Sequence, residues 1–229
     1  MEDVLAVYQR PYDASRPVVC MDETSKVLHS TPRGELPMEP GQSLRQDYEY
    51  ERHGTANLFL SVEPLRGQRQ VRVREHRTTH DFAEVLRTLV DDDYPEADII
   101  VLVLDNLNTH SPSALYEHFP AAEARRIAAK LEWHYTPEHG SWLNIAECEL
   151  AVLTRQCLNR RIPDADTLTN EAHAWAHRRN DANHSIDWQF TTEDARIKLK
   201  RLYPVMKDEQ SCNRPIASID KGRKTFTSR

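Results

Sequence analysis

Three acidic residues occupy positions where an α/β protein can assemble a catalytic site. Asp22 follows the apolar run "VVCM", Asp105 follows "IIVLVL", and Glu147 lies in the first turns of a segment with helical periodicity. Parallel neighbouring strands would bring Asp22 and Asp105 side by side, and Glu147 borders the apolar stripe of its helix. Grouped carboxylates repel one another unless cations neutralise them, and such oxygen ligands suit Mg²⁺ or Mn²⁺. The chemistry expected of two such ions, about 4 Å apart, is phosphoryl transfer.

The same three acids also admit an ordinary interpretation. The chain has 229 residues and 36 acidic side chains, so some of them stand at strand ends by chance. Spacing alone leaves two alternatives open, a metal-binding triad of carboxylates and a set of solvated strand ends. The elements that position these residues bear on the choice.

The hydrophobic pattern predicts a sheet of five strands with helices packed against it. The predicted strands are 16–22, 55–65, 68–77, 98–105 and 131–137. The predicted helices are one capped by Thr79, one over 112–131 broken near Pro120, one from Trp142 to about Arg161, and two at 165–181 and 191–203. Residues 28–46, rich in proline and glycine, are expected to form an irregular loop. A three-strand meander followed by strand–helix alternation predicts a mixed sheet, and this order matches the α/β fold of the ribonuclease-H-like class.

Composition indicates a globular protein with one sizeable core. The chain is 39% hydrophobic and 29% charged, and it contains no apolar run near 18 residues, so no membrane partner is expected. The start "MEDVLAVYQR" lacks the pattern of a secretory signal. Four cysteines, without CxxC spacing, are expected to be free, buried thiols in a reducing cytosol: Cys20, Cys148, Cys157 and Cys212. The predicted location is therefore cytoplasmic.

Basic residues are concentrated in one segment of an acidic chain. The net charge of −6 argues against a surface that binds nucleic acid throughout. The segment "RGQRQVRVREHR" (66–77) nevertheless supplies candidate DNA contacts, and a solvated strand face is the alternative. These candidates are Arg66, Arg69, Arg72 and Arg74. Trp142 is a further candidate, since it can either stack on a base or anchor the start of its helix.

Three sequence blocks resemble the motifs of DDE transposases. The blocks are "VVCMDETS" (18–25), "IIVLVLDNLNTH" (99–110) and "HYTPEHGSWLNIAECEL" (134–150), with 41 residues between Asp105 and Glu147. They are most similar to the bacterial insertion-sequence branch of the mariner superfamily, a branch of the DDE superfamily endonucleases. The later stretches "CLNRRIP" and "WQFTTEDARIKLKRLYP" are also similar, so the resemblance runs from about residue 16 to 205.

The resemblance implies a catalytic function and a ligand set. It implies that Asp22, Asp105 and Glu147 are the catalytic residues and hold Mg²⁺, in two ions, with Mn²⁺ able to substitute. The implied reaction is cleavage at transposon ends, followed by attack of the freed 3′-OH on target DNA, usually at a TA step, without a covalent protein–DNA intermediate. Two alternatives remain open: a non-catalytic DNA- or protein-binding remnant, and a ribonuclease-H-like nuclease that hydrolyses without joining strands.

Several neighbours of the triad are candidates for supporting roles. Asn106 and His110 fit the motif and could orient Asp105, contact a phosphate or cap the loop, while Asn144 is a further candidate at the helix start. Glu23 is expected to point to the face opposite Asp22. Glu149, rotated by about 200° from Glu147 on the helix, is expected to be solvated.

The predicted domain organisation leaves the recognition of DNA ends elsewhere. We expect a lead-in at 1–15, a catalytic domain at 16–205 and a flexible tail at 206–229. Family members usually place helix-turn-helix modules before the catalytic domain, and the segment before Asp22 is too short for them. Recognition of transposon ends is therefore expected to need a separate module or a second subunit. The expected site of action is the nucleoid of a bacterium.

Overall fold

The computed structural model describes residues 1–32, 35–36, 40–41, 45–46, 48–138 and 140–203, with only the backbone described at 35–36 and 45–46. The chain divides into two compact units, Met1–Thr192 and Glu193–Arg229. The predicted tail at 206–229 lies outside the described residues, as does Cys212.

The first unit is built around a mixed five-stranded sheet. The strands of the described residues are β1 (Val18–Ser30), β2 (Glu35–Leu36), β3 (Arg45–Gln46), β4 (Glu51–Glu63), β5 (Gln68–Arg74), β6 (Ile100–Leu104) and β7 (Leu131–Tyr135). The sheet order is β5-β4-β1-β6-β7, while β2 and β3 pair separately. β4 runs antiparallel to β1 and β5, whereas β6 runs parallel to β1 and β7. This is the predicted meander extended by parallel strands.

Helices cover both faces of the sheet. In the first unit they are α1 (Glu2–Tyr8), α2 (Thr79–Thr88), α3 (Ser113–His118), α4 (Ala121–Ala129), α5 (Ile145–Leu153) and α6 (Ala165–Asp181). A further helix, α7 (Thr192–Lys198), belongs to the second unit except for its first residue. Short 3₁₀ turns occur at Ser141–Leu143 and Lys200–Leu202, and π-helical turns at Leu89–Asp93 and Thr154–Leu158. The break predicted near Pro120 is present between α3 and α4. Thr78, one residue before the predicted Thr79, caps α2 in a reciprocal pair with Asp81.

The main core lies between one face of the sheet and helices α2, α3 and α4. Val19 and Met21 of β1 and alternate residues of β6 pack there against Phe82 and the apolar stripe of α2. On the opposite face, α5 contacts β1 and β4, and α6 contacts β5. Every residue of β6 is buried, as expected for a parallel strand covered on both faces.

The first strand is longer than its sequence indicates. The prediction ended it at residue 22, but β1 continues to Ser30 because β4 pairs with it along nearly its whole length, from Cys20↔Val62 to Ser30↔Glu51. The pairing with β6 is shorter and covers Val18↔Val101 to Cys20↔Val103. Asp22 therefore lies within a strand, beyond the point where β1 and β6 stop pairing.

The helix predicted from Trp142 to Arg161 is divided into three parts. A 3₁₀ turn ends at Leu143, the extended backbone of Asn144 (φ −81°, ψ 110°) separates it from α5, and a π-helical turn follows Leu153. The predicted apolar stripe is buried throughout: Leu143, Ala146, Leu150, Leu153 and Cys157. Side-chain capping by Asn144 explains the break, because an N-cap residue must leave the helical conformation.

The helices and cysteines of the described residues bear on two predictions from composition. None of their helices is both long enough and apolar enough to cross a membrane. Cys20, Cys148 and Cys157 are free thiols, and Cys20 and Cys157 are buried as expected, whereas the expectation was wrong for Cys148, which is exposed.

Candidate active site

The pairing register places Asp22 and Asp105 side by side. Cys20 pairs with Val103 in the parallel β1–β6 ladder, and each aspartate lies two residues further along its strand. Side chains two residues apart on a strand project from the same face. Both carboxylates therefore lie on one face of the sheet, at the edge where β6 ends.

Asn144 brings Glu147 to the same edge. Its Oδ1 accepts a hydrogen bond of 3.1 Å from the Ala146 N–H, which caps α5. Its Nδ2 donates a hydrogen bond of 3.0 Å to the carbonyl of Met21, the residue before Asp22. Asn144 is fully buried, so this link between helix and strand is shielded from water. Glu147, in the first turn of α5, is held beside β1 by the link.

The three carboxylates line one open cavity of about 410 Å³. Its other walls come from Glu23 and Thr24 of β1, from Ser141, and from Leu150, Ala151 and Thr154 along α5. Glu147 is exposed, while Asp22 is half-buried. The cavity is therefore open to a substrate on the side of α5.

Asp22 stands in an environment that disfavours its negative charge. Burial raises the pKa of Asp22 to about 7, and the charges of neighbouring carboxylates add to this rise. A hydrogen bond of 2.8 Å from the Glu23 N–H to Asp22 Oδ1 opposes the rise without cancelling it. An ionised carboxylate that lacks a cation partner is costly in such a place.

The donor chemistry of the cavity fits a hard divalent cation. Carboxylate oxygen is the ligand that Mg²⁺ and Mn²⁺ prefer, and four acidic residues, the triad and Glu23, line the cavity. In the part of the chain that the structure describes, however, no three His, Cys, Asp or Glu side chains stand ready to hold a metal ion. The triad thus fits a divalent cation by the chemistry of its oxygen donors and by their shared cavity. To bind the ion, the three side chains would have to move closer together.

His110 connects Asp105 to the opposite face of the sheet. Its Nδ1 lies 2.5 Å from Asp105 Oδ1, and its Nε2 lies 2.9 Å from Glu23 Oε2. The ring stacks on Phe82, with centroids 4.6 Å apart. Burial lowers the pKa of His110, but hydrogen bonds and charge from the two carboxylates outweigh it and raise the pKa to about 9. His110 is therefore a buried imidazolium that holds Asp105 in place.

Glu23 has a structural link to the site that its sequence context did not reveal. It was expected only to face away from Asp22, yet its carboxylate accepts the second hydrogen bond of His110. The available signal was strand parity, since Glu23 shares the face of Met21. Asn106, by contrast, is exposed in the loop after β6.

Trp142 lies at the entrance to α5 and is 41% exposed. Its ring meets Phe190 edge to face, with centroids 5.7 Å apart. The neighbouring Ser141 lines the carboxylate cavity. The sequence left two roles open for Trp142, stacking on a base and anchoring the start of the helix. The exposed part of the indole leaves a surface free for stacking, and the contact with Phe190 holds the ring.

The candidate basic segment does not form one surface. Arg69 is fully buried, with its Nε 2.5 Å from Glu149 Oε2, so it has no surface to offer to DNA. Arg72 is mostly buried and makes two hydrogen bonds of 2.7 Å to the carboxylate of Asp93. Arg66 is exposed in the turn before β5, with its Nη1 3.6 Å from Glu63 Oε2, and Arg74 is partly exposed at the far end of β5. The prediction that Arg69 contacts DNA is therefore wrong, and Arg72 is already paired with Asp93.

Glu149 is buried rather than solvated. Its Oε1 accepts a hydrogen bond of 2.9 Å from Arg179 of α6, while Oε2 bonds Arg69. The prediction was wrong because two distant arginines, Arg69 of β5 and Arg179 of α6, reach Glu149 and bury it with them. The two guanidinium groups neutralise a carboxylate that could not otherwise be buried.

Comparisons with known proteins agree with this architecture. The family model described as "DDE superfamily endonuclease" matches residues 17–169. No curated protein matches the chain. The solved structure titled "Crystal structure of the Mos1 Strand Transfer Complex" is 14% identical, with a TM-score of 0.51 over 79% of this chain and 52% of the Mos1 chain. This likeness confirms the predicted ribonuclease-H-like fold class.

A second solved structure is less similar. It is titled "Mos1 transposase paired-end complex with left transposon end", is 14% identical, and matches 81% of this chain and 60% of its own with a TM-score of 0.31. That TM-score is too low to bear on the fold. In both comparisons the present chain spans little more than half the length of the matched chain.

Proposed function

The chain belongs to the DDE superfamily endonucleases, and from this premise we propose that it is the catalytic domain of a transposase that cuts and joins DNA strands. The observation that carries the proposal is the shared cavity of Asp22, Asp105 and Glu147, one from each of three separate chain segments. Three acids from β1, the end of β6 and α5 meet there although 41 residues separate the last two. This convergence supports a shared chemical role for the three acids over chance placement at strand ends.

In this proposal the three carboxylates hold divalent cations, Mg²⁺ or its substitute Mn²⁺, in two sites. When bound, such cations supply activation of an attacking oxygen and stabilisation of a leaving one, as phosphoryl transfer requires. Asp22 gives up its proton on binding, because a nearby cation favours its charged form. The buried imidazolium of His110 keeps one Asp105 oxygen engaged, which leaves the other free to face the cavity.

The substrate in this proposal is DNA. A transposon end would be cut first, and the freed 3′-OH would then attack target DNA, with TA steps as the expected target. Trp142 offers an exposed ring for stacking on a base near the cavity, and Arg66 and Arg74 offer charge for phosphates. Recognition of specific ends would come from a separate helix-turn-helix module or a second subunit. The place of action proposed is the bacterial cytoplasm, at the nucleoid.

The test is a joining assay on duplexes with a pre-cut 3′-OH end, using a supercoiled plasmid as target and Mg²⁺ or Mn²⁺. We expect joined products that disappear in Asp105→Asn. The matched control is Asp98→Asn, an exposed aspartate that precedes β6 as Asp105 follows it. Metal-dependent nicking without joining would point to a hydrolytic nuclease. Neither nicking nor joining, with DNA binding intact, would point to a non-catalytic remnant.

A further inference from the structure

A second cavity, of about 330 Å³, lies between the turn after α5 and helix α6. Three arginines line it, Arg155 and Arg160 from the first segment and Arg178 from the second, and Glu171 is the acidic residue among its walls. Positive charge therefore exceeds negative charge at this surface, in a chain whose net charge is −6.

Two of these three arginines are uncommitted. Arg160 binds Glu171 at 2.6 Å, and its Nε lies 3.3 Å from the carbonyl of Cys157. The side chains of Arg155 and Arg178 are exposed, and among the described residues neither has a hydrogen-bond or ion-pair partner. Five N–H donors on each guanidinium are thus available to an incoming acceptor.

A fourth cation is bonded to the chain segment that lines the cavity. Lys26 of β1 donates hydrogen bonds to the carbonyls of Leu158 and Arg160, at 2.5 and 2.8 Å. Burial lowers the pKa of Lys26, and the charge of Arg160 lowers it further. Like charges are thus gathered here with one acid to offset them, an arrangement whose repulsion an anion would relieve.

The cavity adjoins the candidate active site along the chain. Thr154 lines the carboxylate cavity, and Arg155, the next residue, lines the cationic one. Arg155 follows Glu147 by eight residues, or about 12 Å at 1.5 Å per helical residue. At about 3.4 Å per nucleotide along a duplex, that span corresponds to three or four nucleotides.

We propose that Arg155 and Arg178 bind the phosphodiester backbone of the DNA strand whose reacting end enters the carboxylate cavity. This inference rests on the proposed function and adds a binding site to it. Arginine suits the role, because its planar group can hold two phosphate oxygens at once. Arg160, tied to Glu171, and Lys26, tied to carbonyl groups, supply background charge. The pair is thereby the DNA-positioning surface that the segment 66–77 does not form.

The experiment measures binding of a fluorescent duplex to the full chain in EDTA across a range of salt concentrations. Without divalent cations no chemistry occurs, so binding is read apart from activity. We expect Arg155→Ala and Arg178→Ala each to weaken binding roughly tenfold and to reduce the slope of log K against log salt by about 1. Arg155→Lys and Arg178→Lys should each keep the wild-type slope but only part of the affinity.

Arg125→Ala is the matched control, since Arg125 is an exposed arginine on α4 and lines neither cavity. It should leave affinity and slope unchanged. Wild-type affinity and slope in both the Arg155 and Arg178 variants would overturn the inference, as would the absence of duplex binding by the wild-type chain. Intact salt-dependent binding without metal-dependent cutting or joining would contradict the proposed function alone.

Discussion

The side-chain amide of Asn144 donates a 3.0 Å hydrogen bond to the backbone carbonyl of Met21, and so joins the start of α5 to the strand that carries Asp22. The same amide accepts a hydrogen bond from the Ala146 N–H as the cap of α5. One buried side chain thus sets the distance between the segments that carry Asp22 and Glu147, two acids that lie 125 positions apart in the sequence.

Replacing Asn144 should therefore affect both stability and chemistry. Asn144→Ala removes the cap and leaves the Met21 carbonyl without its donor, and we expect a loss of about 2 to 3 kcal/mol in the free energy of unfolding. Asn144→Ser should recover only the capping part, because its shorter side chain does not reach Met21. Denaturant unfolding measures the loss, and the joining assay measures activity.

The control for Asn144 is Asp164→Ala, which removes the exposed cap of α6. Its expected cost is about 1 kcal/mol, without loss of joining activity. Equal activity in folded Asn144→Ala and in Asp164→Ala would contradict a positioning role for Asn144.

Asp22 should destabilise the fold when it is ionised. Its folded-state pKa of about 7 exceeds the ordinary value of 3.8, so the folded chain holds this proton more tightly than the unfolded chain. The associated stability is full below the ordinary pKa and is lost as pH rises from about 4 through 7. Asp22→Asn should therefore be more stable than wild type by roughly 1 to 2 kcal/mol near pH 8, and less so near pH 4.

Thermal unfolding at the two pH values measures this difference, in the absence of divalent cations. Adding Mn²⁺ near pH 8 should raise the Tm of wild type and not that of Asp22→Asn, because only the former retains the full set of carboxylates. A Tm difference that is the same at both pH values would contradict the effect of burial on this group.

His110 should contribute stability that depends on pH in a different window. Its pKa of about 9 lies above the ordinary 6.5, so its contribution is full below 6.5 and is lost as pH rises through 9. His110→Ala leaves the carboxylates of Asp105 and Glu23 without their shared partner, at an expected cost of about 3 kcal/mol near neutral pH. Chemical denaturation as a function of pH checks both statements.

The informative companion variant is His110→Gln. It keeps a polar group of similar reach without a titratable ring, so its stability should vary less between pH 6.5 and 9 than that of wild type. An unchanged pH profile in this variant would show that His110 is not the titrating group.

Trp142 should contribute to DNA affinity more than to stability. Trp142→Ala removes a partly exposed ring, and we expect a loss of about 1 to 3 kcal/mol in binding free energy for a duplex with an unpaired end. Trp142→Phe should retain much of the affinity. The control is Tyr116→Ala, because Tyr116 is also an exposed aromatic residue but lies on α3. This variant should bind like wild type.

If Trp142 instead anchors the helix start, the pattern reverses. The free energy of unfolding would then fall in Trp142→Ala, while the folded variant would bind DNA normally. Binding and unfolding measured on the same preparation separate the two roles.

Much of the fold was predictable because its signals are local. The apolar run before Asp105 gave a buried strand, and "FP" at 119–120 gave the break between α3 and α4. The residues of α6 matched the predicted 165–181 because a side-chain cap at Asp164 and a buried stripe mark its span. The extension of β1 to Ser30 was missed, since only the partner strand β4 makes that polar stretch a strand.

The residues around the triad were harder to predict, because their roles depend on distant partners. Arg69 could have been placed by parity: it shares the strand face of Val71, not that of Arg72. Glu149 could not, since its burial depends on Arg69 and Arg179, 80 and 30 residues away. The same holds for the bridge from His110 to Glu23, which spans the chain from β1 to the loop after β6.

The register of β1 and β6 restricts insertions and deletions in the gene. Side chains alternate between the two faces of a sheet along each strand. Inserting or deleting a single residue between Cys20 and Asp22 would therefore point the Asp22 carboxylate into the core on the opposite face of the sheet. The same applies between Val103 and Asp105. Codon substitutions at the intervening positions can be absorbed by repacking, but a three-nucleotide insertion or deletion cannot. Over evolutionary time these two short stretches are free to change their composition and are not free to change their length.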